Sequence, residues 1–120
     1  MTVSLNSFSF DIYRQIKSDK ENLFFSPLSI DLALLMAYEG AMSETKSEFE
    51  KVLHLDRNIN YDDVSAFISN IMKLNDSSNY TNVSNAIWVQ DKFKIKIDYQ
   101  NTIKNKYSSD VFTINESGIF

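Results

Sequence analysis

The sequence predicts a mixed fold of the α+β class. Apolar residues recur at the three- and four-residue spacing of amphipathic helices through most of the chain. Two shorter stretches, one around Ile87 and one from Asp110 to Ile114, instead have the β-branched and aromatic composition that is typical of strands. The most apolar segment runs from Asn22 to Ala41, so we expect the other elements to pack around it.

Composition is that of a soluble globular protein. The chain has 120 residues, a normal single-domain length, of which 43% are hydrophobic and 23% are charged. Two glycines and one proline are too few for a disordered or fibrous chain. We therefore expect residues 1–120 to form one domain, or part of one.

Charge and cysteine content exclude several partners and chemistries. A net charge of −4 disfavours binding to nucleic acid, which requires a basic surface. The absence of cysteine excludes disulfides, thiol nucleophiles and cysteine-ligated metals. No cofactor is expected, because Gly40 and Gly118 lie too far apart to build a phosphate-binding loop.

The first segment is predicted to be an amphipathic helix. Its apolar residues are spaced by three and four positions: Leu5, Phe8, Ile12 and Ile16. A polar turn at residues 18–21 follows. Asn22–Phe25 is then a short run rich in aromatic residues, which we expect to form a buried strand.

A central helix is predicted from Leu28 to Tyr38. Ser26 is a suitable N-cap, and Pro27 suits the first helical position because it lacks an N–H and has a helical φ. Asp31 is the only charge in the helix, and we expect the helix dipole to favour it near the N-terminus. Since apolar residues occupy every face, the helix is predicted to be buried all round.

Two more amphipathic helices are predicted in the middle of the chain. Thr45 and Glu48 have the spacing of a capping box at the start of the first of these helices. Phe49, Val52 and Leu53 form its apolar face, and the helix is expected to end at Leu55. After a linker, a second face is traced by Val64, Phe67, Ile68, Ile71 and Met72, with Lys73 on the outside.

The last third of the chain is predicted to contain a strand, a helix and a strand. Val83, Ile87 and Val89 share one face of an extended run and Ala86 and Trp88 share the other, so we expect that strand to be covered on both sides. A turn at Asp91–Lys92 leads to a helix marked by Ile97, Ile103 and Tyr107. The final strand is Asp110–Ile114.

Residue chemistry does not favour an enzyme. His54 is the only histidine and no serine lies in a G-x-S-x-G context, so we expect His54 to be a polar residue near a helix end. No metal site is predicted, because the close carboxylate pairs lack the alternating ligands of a calcium loop. Lysines alternate with apolar residues from Lys92 to Lys96, where a solvated face over buried residues is favoured over a patch that binds polyanions.

Two motifs in this chain resemble the N-terminal part of a serpin (serine protease inhibitor). The first is Asn22–Ile30, which is followed by Tyr38–Ala41 and then by Thr45 and Phe49. The second is Asn85–Asp91. The resemblance implies a serpin-like fold that comprises the N-terminal helices and the first strands of the main sheet. It also implies that residues 1–120 are the N-terminal portion of a serpin domain without its reactive-centre loop, since a serpin core is roughly three times this length.

The implied function is inhibition of serine-type or cysteine endopeptidases, in a truncated form that does not inhibit by itself because the reactive bond is absent from the chain. The alternative is a non-inhibitory interaction module that binds a partner or another serpin chain. A protease target is implied only by the resemblance. Self-association or binding of a complementary serpin fragment is the other partnership that we expect.

By resemblance, four residues belong to the region where the main sheet of a serpin opens: Asn22, Ser26, Pro27 and Ser29. Their hydroxyls also suit simple helix capping, and both interpretations stay open. In serpins that glycosaminoglycans activate, the equivalent helix carries several basic residues. Here that helix offers only Lys73, so heparin is not an expected partner.

Family members commonly have glycine at the position that Ser43 occupies in this chain.

Localisation is predicted to be cytoplasmic, because no signal peptide is seen at the start of the sequence. Secretion is not excluded, since some exported serpins lack an evident cleaved signal. No membrane association is expected. The central helix has about a dozen apolar residues, whereas a bilayer-spanning helix needs ~20.

Overall fold

Five helices and two strands make up the described part of this computed structural model, which comprises residues 2–55, 59–73 and 83–115. The helices are α1 (Thr2–Ile16), α2 (Pro27–Tyr38), α3 (Ser43–Val52), α4 (Tyr61–Met72) and α5 (Ile97–Tyr107); the strands are β1 (Ala86–Gln90) and β2 (Asp110–Ile114). The chain divides after Val64 into two compact units. The predicted α+β class is confirmed.

The first unit is built around the contact of α1 with α2 and of α2 with α3. Phe8 of α1 is buried, in agreement with the predicted amphipathic helix. Ser4 is buried as well, and its Oγ donates a hydrogen bond of 2.5 Å to the carbonyl oxygen of Leu53. This bond holds α1 against the turn that follows α3, because a hydroxyl removed from water requires such a partner.

Helix α2 is buried on one face rather than all round. Its buried residues are Asp31, Leu32, Leu35 and Met36, whereas Ala33 and Ala37 are exposed. The predicted burial on every side is therefore wrong for this chain. The physical reason is that the packing of α1 and α3 covers a single stripe of α2, and a helix needs a neighbour for each face that it buries.

The segment Asn22–Phe25 is not a strand. It has no regular secondary structure, and the side chain of Phe24 is fully exposed. An extended segment becomes a strand only when a neighbouring strand exchanges backbone hydrogen bonds with it. The part of the chain that the structure describes offers no such neighbour, so the prediction of a buried strand is wrong.

Helix α3 begins two residues before the predicted capping box. Its first residue is Ser43 and its N-cap is Met42, whose side chain makes no capping bond. Thr45 thus lies inside the first turn, where it cannot act as a cap, and the predicted Thr45–Glu48 box is wrong. The backbone of Ser43 has a φ of 54°, a left-handed value that favours glycine.

Helix α4 begins with a reciprocal capping box, a feature that was predicted for α3 instead. The N–H of Asp63 donates to Asn60 Oδ1 at 2.9 Å, and the N–H of Asn60 donates to Asp63 Oδ2 at 3.1 Å. Two backbone donors at the helix start are satisfied in this way. Val64 and Ile68 are buried and Lys73 is exposed, which confirms the predicted amphipathic pattern.

The second unit contains a β1–α5–β2 arrangement. The two strands are parallel and in register from Ala86 opposite Asp110 to Gln90 opposite Ile114. Parallel strands need a crossover connection, which α5 supplies while it packs against β2. Ile103 is fully buried in α5, and the predicted strand, helix and strand are all confirmed.

One face of this small sheet is open to solvent. Ile87 and Val89 are half-buried, whereas Ala86 and Trp88 are exposed. The predicted coverage of β1 on both sides is therefore wrong among the described residues. A single helix packs on a single face, so α5 cannot cover both.

Candidate functional site

The first turn of α2 brings together three of the four residues that the resemblance singled out. Ser26 is extended (φ −114°, ψ 103°), and its Oγ accepts a hydrogen bond of 3.3 Å from the N–H of Ser29. Pro27 occupies the first helical position. Asn22 lies in the exposed segment that precedes this turn. The capping interpretation of Ser26 is confirmed, whereas a role in sheet opening stays a prediction.

Asp31 is a buried carboxyl group one turn further along α2. The residue is 2% exposed, and its Oδ2 has no hydrogen-bond partner among the described residues. Burial raises the pKa of Asp31 to about 6. The first turn of α2 contains no acidic residue, so the expectation that the helix dipole favours Asp31 is wrong. Sequence reasoning missed its burial because the helix pattern did not reveal which face α1 and α3 cover.

His54 lies in the turn after α3 and pairs with a carboxylate of α1. Its Nε2 is 2.5 Å from Asp11 Oδ2, and Asp11 also pairs with Arg14. The hydrogen bond from His54 lowers the pKa of Asp11, and the nearby Arg14 guanidinium lowers it further. The prediction of a polar residue near a helix end is confirmed, and the pair links α1 to the end of α3.

Neither metal binding nor a membrane span is indicated by the described residues. Within the ranges 2–55, 59–73 and 83–115, no three histidine or acidic side chains gather into a group that could hold a metal ion. Over the same ranges, the helices are too short or too polar to cross a bilayer.

The lysine-rich segment that follows β1 is an exposed connection. Lys92, Lys94 and Lys96 are all exposed, which agrees with a solvated face. Phe93 is 60% exposed and Ile95 is half-buried, so the expectation of a buried apolar face is wrong at Phe93. The physical reason is that residues 91–93 form a turn and a bend instead of continuing β1 as an extended strand.

Aromatic side chains form the most exposed apolar surface of the sheet. Trp88 of β1 stacks on Phe112 of β2, with ring centres 4.5 Å apart and planes inclined by 22°. These two rings, called here the aromatic face, are 50% and 41% exposed. Exposed apolar clusters of this kind commonly mark surfaces that contact another polypeptide.

A pocket in the first unit combines charged, phenolic and apolar groups. It has a volume of about 230 Å³ and is called here the Tyr38 pocket; its lining residues are Tyr38, Lys46, Glu50, Leu55, Ile59, Asn60 and Val64. Lys46 Nζ lies 5.9 Å from the centre of the Tyr38 ring. Sequence reasoning missed this pocket, because its residues come from three separate segments whose contact no local pattern predicts.

Comparison with known proteins identifies the family. The sequence profile described as Serpin (serine protease inhibitor) matches residues 3–118. An uncharacterized serpin-like protein of Thermococcus kodakarensis is 32% identical over 117 residues, which are 96% of this chain and 28% of that protein. The leukocyte elastase inhibitor of Xenopus tropicalis is 33% identical over 114 residues, which are 90% of this chain and 29% of that protein.

Solved structures give the same result for the fold. Human thyroxine-binding globulin superposes with a TM-score of 0.79 at 28% identity, over 97% of this chain and 33% of the other. Emu ovalbumin superposes with a TM-score of 0.77 at 26% identity, over 92% and 33%. The chain thus spans about a third or less of the length of these relatives. It belongs to the serpin family and corresponds to the N-terminal third of the serpin fold.

Proposed function

We propose that this protein contributes to inhibition of a serine-type or cysteine endopeptidase, and that residues 1–120 do not inhibit by themselves. The observation that carries the proposal is the serpin profile over residues 3–118, together with a relative that is named as an inhibitor of leukocyte elastase. In serpins, a cleaved loop inserts as a strand into the main sheet and stored strain is released. Residues 1–120 supply helices and two strands of that machinery.

The proposed partner is a complementary part of a serpin or another copy of this chain. The support comes from the sheet, in which β1 and β2 pair only with each other among the described residues. The described residues therefore leave one edge of β2, with its backbone N–H and C=O groups, for another strand to pair with. Because a two-stranded sheet is marginal in water, addition of strands there is favourable.

Four residues at the start of α2 are proposed to act in sheet opening: Asn22, Ser26, Pro27 and Ser29. The supporting observation is local, since the Ser26 hydroxyl fixes the first turn of the helix that contributes most to the core of its unit. By resemblance, this helix start belongs to the region where the main sheet of a serpin admits a new strand. The role thus depends on the proposed inhibitory function.

A non-inhibitory interaction module is the second candidate, and the aromatic face favours it. Trp88 and Phe112 are stacked and about half exposed, and both Trp and Phe are enriched where proteins bind one another. Such a module binds a polypeptide through this face and does not require a cleavable loop.

One experiment separates the two candidates. The chain is incubated with a panel of serine and cysteine proteases, alone and after mixing with a serpin fragment that supplies the remaining two-thirds of the fold. Inhibition predicts no SDS-resistant protease complex with the chain alone and such a complex with the mixture. The interaction module predicts binding of the fragment without any covalent complex.

Two controls sharpen this test. Phe112→Lys should weaken binding of the fragment, whereas Phe10→Lys, which changes an exposed phenylalanine of α1, should not. A covalent complex formed by the chain alone would overturn the proposal, because inhibition would then need no residues beyond these. Failure of the fragment to bind at all would overturn the proposed partnership.

A further inference from the structure

Two opposite charges line the Tyr38 pocket without neutralising each other. Lys46 and Glu50 are four residues apart on α3, a spacing that normally permits an ion pair. Among the described residues, neither side chain has an ionic partner within 4.0 Å. Lysine before glutamate is the weaker order for such a pair, which fits its absence. Both charges are thus available to a bound molecule.

The phenol of Tyr38 lines the same pocket as these two charges. Burial raises the pKa of Tyr38, and the nearby carboxylates of Glu50 and Glu39 and the hydrogen bond to Glu50 raise it further. Tyr38 therefore stays neutral; its O–H donates to Glu50, and its hydroxyl oxygen can still accept a hydrogen bond. Its ring also faces the Lys46 ammonium and lies 6.3 Å from the ring of Phe49, so its position is held by two neighbours.

Among the described residues, the rest of the lining consists of three apolar side chains and one amide. Leu55 is 7% exposed and Val64 is 4% exposed, and Ile59 lies beside them. Asn60 uses its Oδ1 to accept the N–H of Asp63, which leaves its NH₂ group as a donor. The described part of the lining thus offers one cation, one anion, a phenol and a carboxamide beside buried apolar side chains.

We propose that the Tyr38 pocket binds a free α-amino acid with a branched aliphatic side chain. In this arrangement the ligand's ammonium pairs with Glu50, its carboxylate pairs with Lys46 and accepts from the NH₂ group of Asn60, and its side chain packs on Leu55 and Val64. A volume of about 230 Å³ lies below the ~300 Å³ at which pockets for drug-sized ligands begin, so the ligand must be small.

A zwitterion fits this pocket better than an ion of either sign. A lone anion on Lys46 would be repelled by the nearby Glu50 carboxylate, and a lone cation on Glu50 would be repelled by the Lys46 ammonium. A ligand that carries both charges pairs each of them and brings no net charge into the pocket. This proposal does not depend on the inhibitory function, and its failure would leave that function untouched.

Saturation-transfer difference NMR on the 120-residue chain tests the site, because it observes the small molecule whatever the assembly state of the protein. The probe is L-leucine. We expect its methyl signals to respond in a saturable way, with a dissociation constant of about 1 mM. N-acetyl-leucine, which lacks the ammonium, and leucinamide, which lacks the carboxylate, should each bind about tenfold more weakly or worse.

Variants of the two charged residues assign each half of the ligand. Lys46→Gln should abolish the preference for leucine over leucinamide, and Glu50→Gln should abolish the preference for leucine over N-acetyl-leucine. Lys51→Gln is the matched control, since Lys51 lies on the same helix outside the pocket. Circular dichroism checks that the variants keep their helical content.

Three results would overturn the proposal. The first is the absence of a saturable response to leucine. The second is equal binding of leucine, N-acetyl-leucine and leucinamide by the unmodified chain, a result that does not depend on the folding of any variant. The third is unchanged leucine binding in both Lys46→Gln and Glu50→Gln.

Discussion

Asp31 couples the stability of the first unit to pH. The pKa of Asp31 is raised from 3.8 to about 6. At a pH between these two values, the folded chain keeps a proton on this carboxyl group that the unfolded chain has already lost. The stabilising contribution of the neutral carboxyl is present below pH 3.8 and is lost as the pH rises through about 6. The loss is on the order of 3 kcal/mol for a shift of this size.

Asp31→Asn therefore removes the free-energy cost of burying a charged carboxylate at neutral pH. We expect the variant to be more stable than the unmodified chain near pH 7, by on the order of 2 kcal/mol, because no charge is then buried. Urea-unfolding midpoints on the two sides of the titration, followed by circular dichroism, measure the effect. Asp19→Asn, at an exposed loop position, is the control and should change little. Equal pH dependence in the Asp31→Asn variant would contradict the burial of Asp31.

Ser43 holds a backbone conformation that glycine adopts more easily. At a φ of 54°, the left-handed region costs a residue with a Cβ atom roughly 1 kcal/mol. Ser43→Gly should therefore stabilise the chain by about 0.5 kcal/mol, after allowance for the greater freedom of glycine in the unfolded state. Thermal melts compare this variant with Ser47→Gly, inside α3, which should be destabilised by about 0.5 kcal/mol. A fall in melting temperature for both variants would contradict the assigned conformation of Ser43.

Residue-scale features were predictable where they are local. Ser26 and Pro27 are adjacent, and the cap they form depends only on the first turn that follows them, so the sequence pattern predicted it correctly. The burial of Asp31 depends instead on which face of α2 meets α1 and α3, and no pattern within the helix contains that information. The Tyr38 pocket was missed for the same reason.

At the scale of elements, the helices and the two paired strands followed from periodicity, but their surroundings did not. The bounds of β2 agree with the prediction at both ends. Asn22–Phe25 has strand-like composition, yet composition does not provide the neighbouring strand that it needs. The same distinction separates the two candidate capping boxes. Asn60 and Asp63 have the required spacing and lie at the start of a helix, so they form a box. Thr45 and Glu48 have the required spacing, but Thr45 lies inside the first turn of α3.

The one-sided burial of α2 gives a sharp test at this scale. Leu35→Asp should prevent soluble folding, since Leu35 is fully buried and an unpaired charge there costs several kcal/mol. Ala37→Asp introduces the same charge at an exposed position of the same helix and should be tolerated. The yield of soluble protein and the helical circular-dichroism signal measure both. If both variants fold, the assigned buried face is wrong, and if neither folds, α2 is covered on more sides than the structure shows.

At the scale of the whole molecule, the central fact is that the chain spans about a third or less of the length of its serpin relatives. The motifs at Asn22–Ile30 and Asn85–Asp91 predicted the family, because each of them depends on local sequence. The order of the five helices and of β1 and β2 was predicted as well, apart from the additional strand expected at Asn22–Phe25. The sequence did not predict which faces of the elements are exposed to solvent, because exposure depends on the residues that pack against each face.

Sedimentation velocity at micromolar concentration tests most directly whether the chain is an incomplete serpin fold. With one edge of β2 unpaired among the described residues and an exposed aromatic face, we expect species larger than the 13.9 kDa monomer. Addition of a complementary serpin fragment should convert them into a single complex, and Phe112→Lys should weaken both assemblies. A lone 13.9 kDa species with a cooperative melt, no dye-accessible apolar surface and no affinity for the fragment would contradict the account.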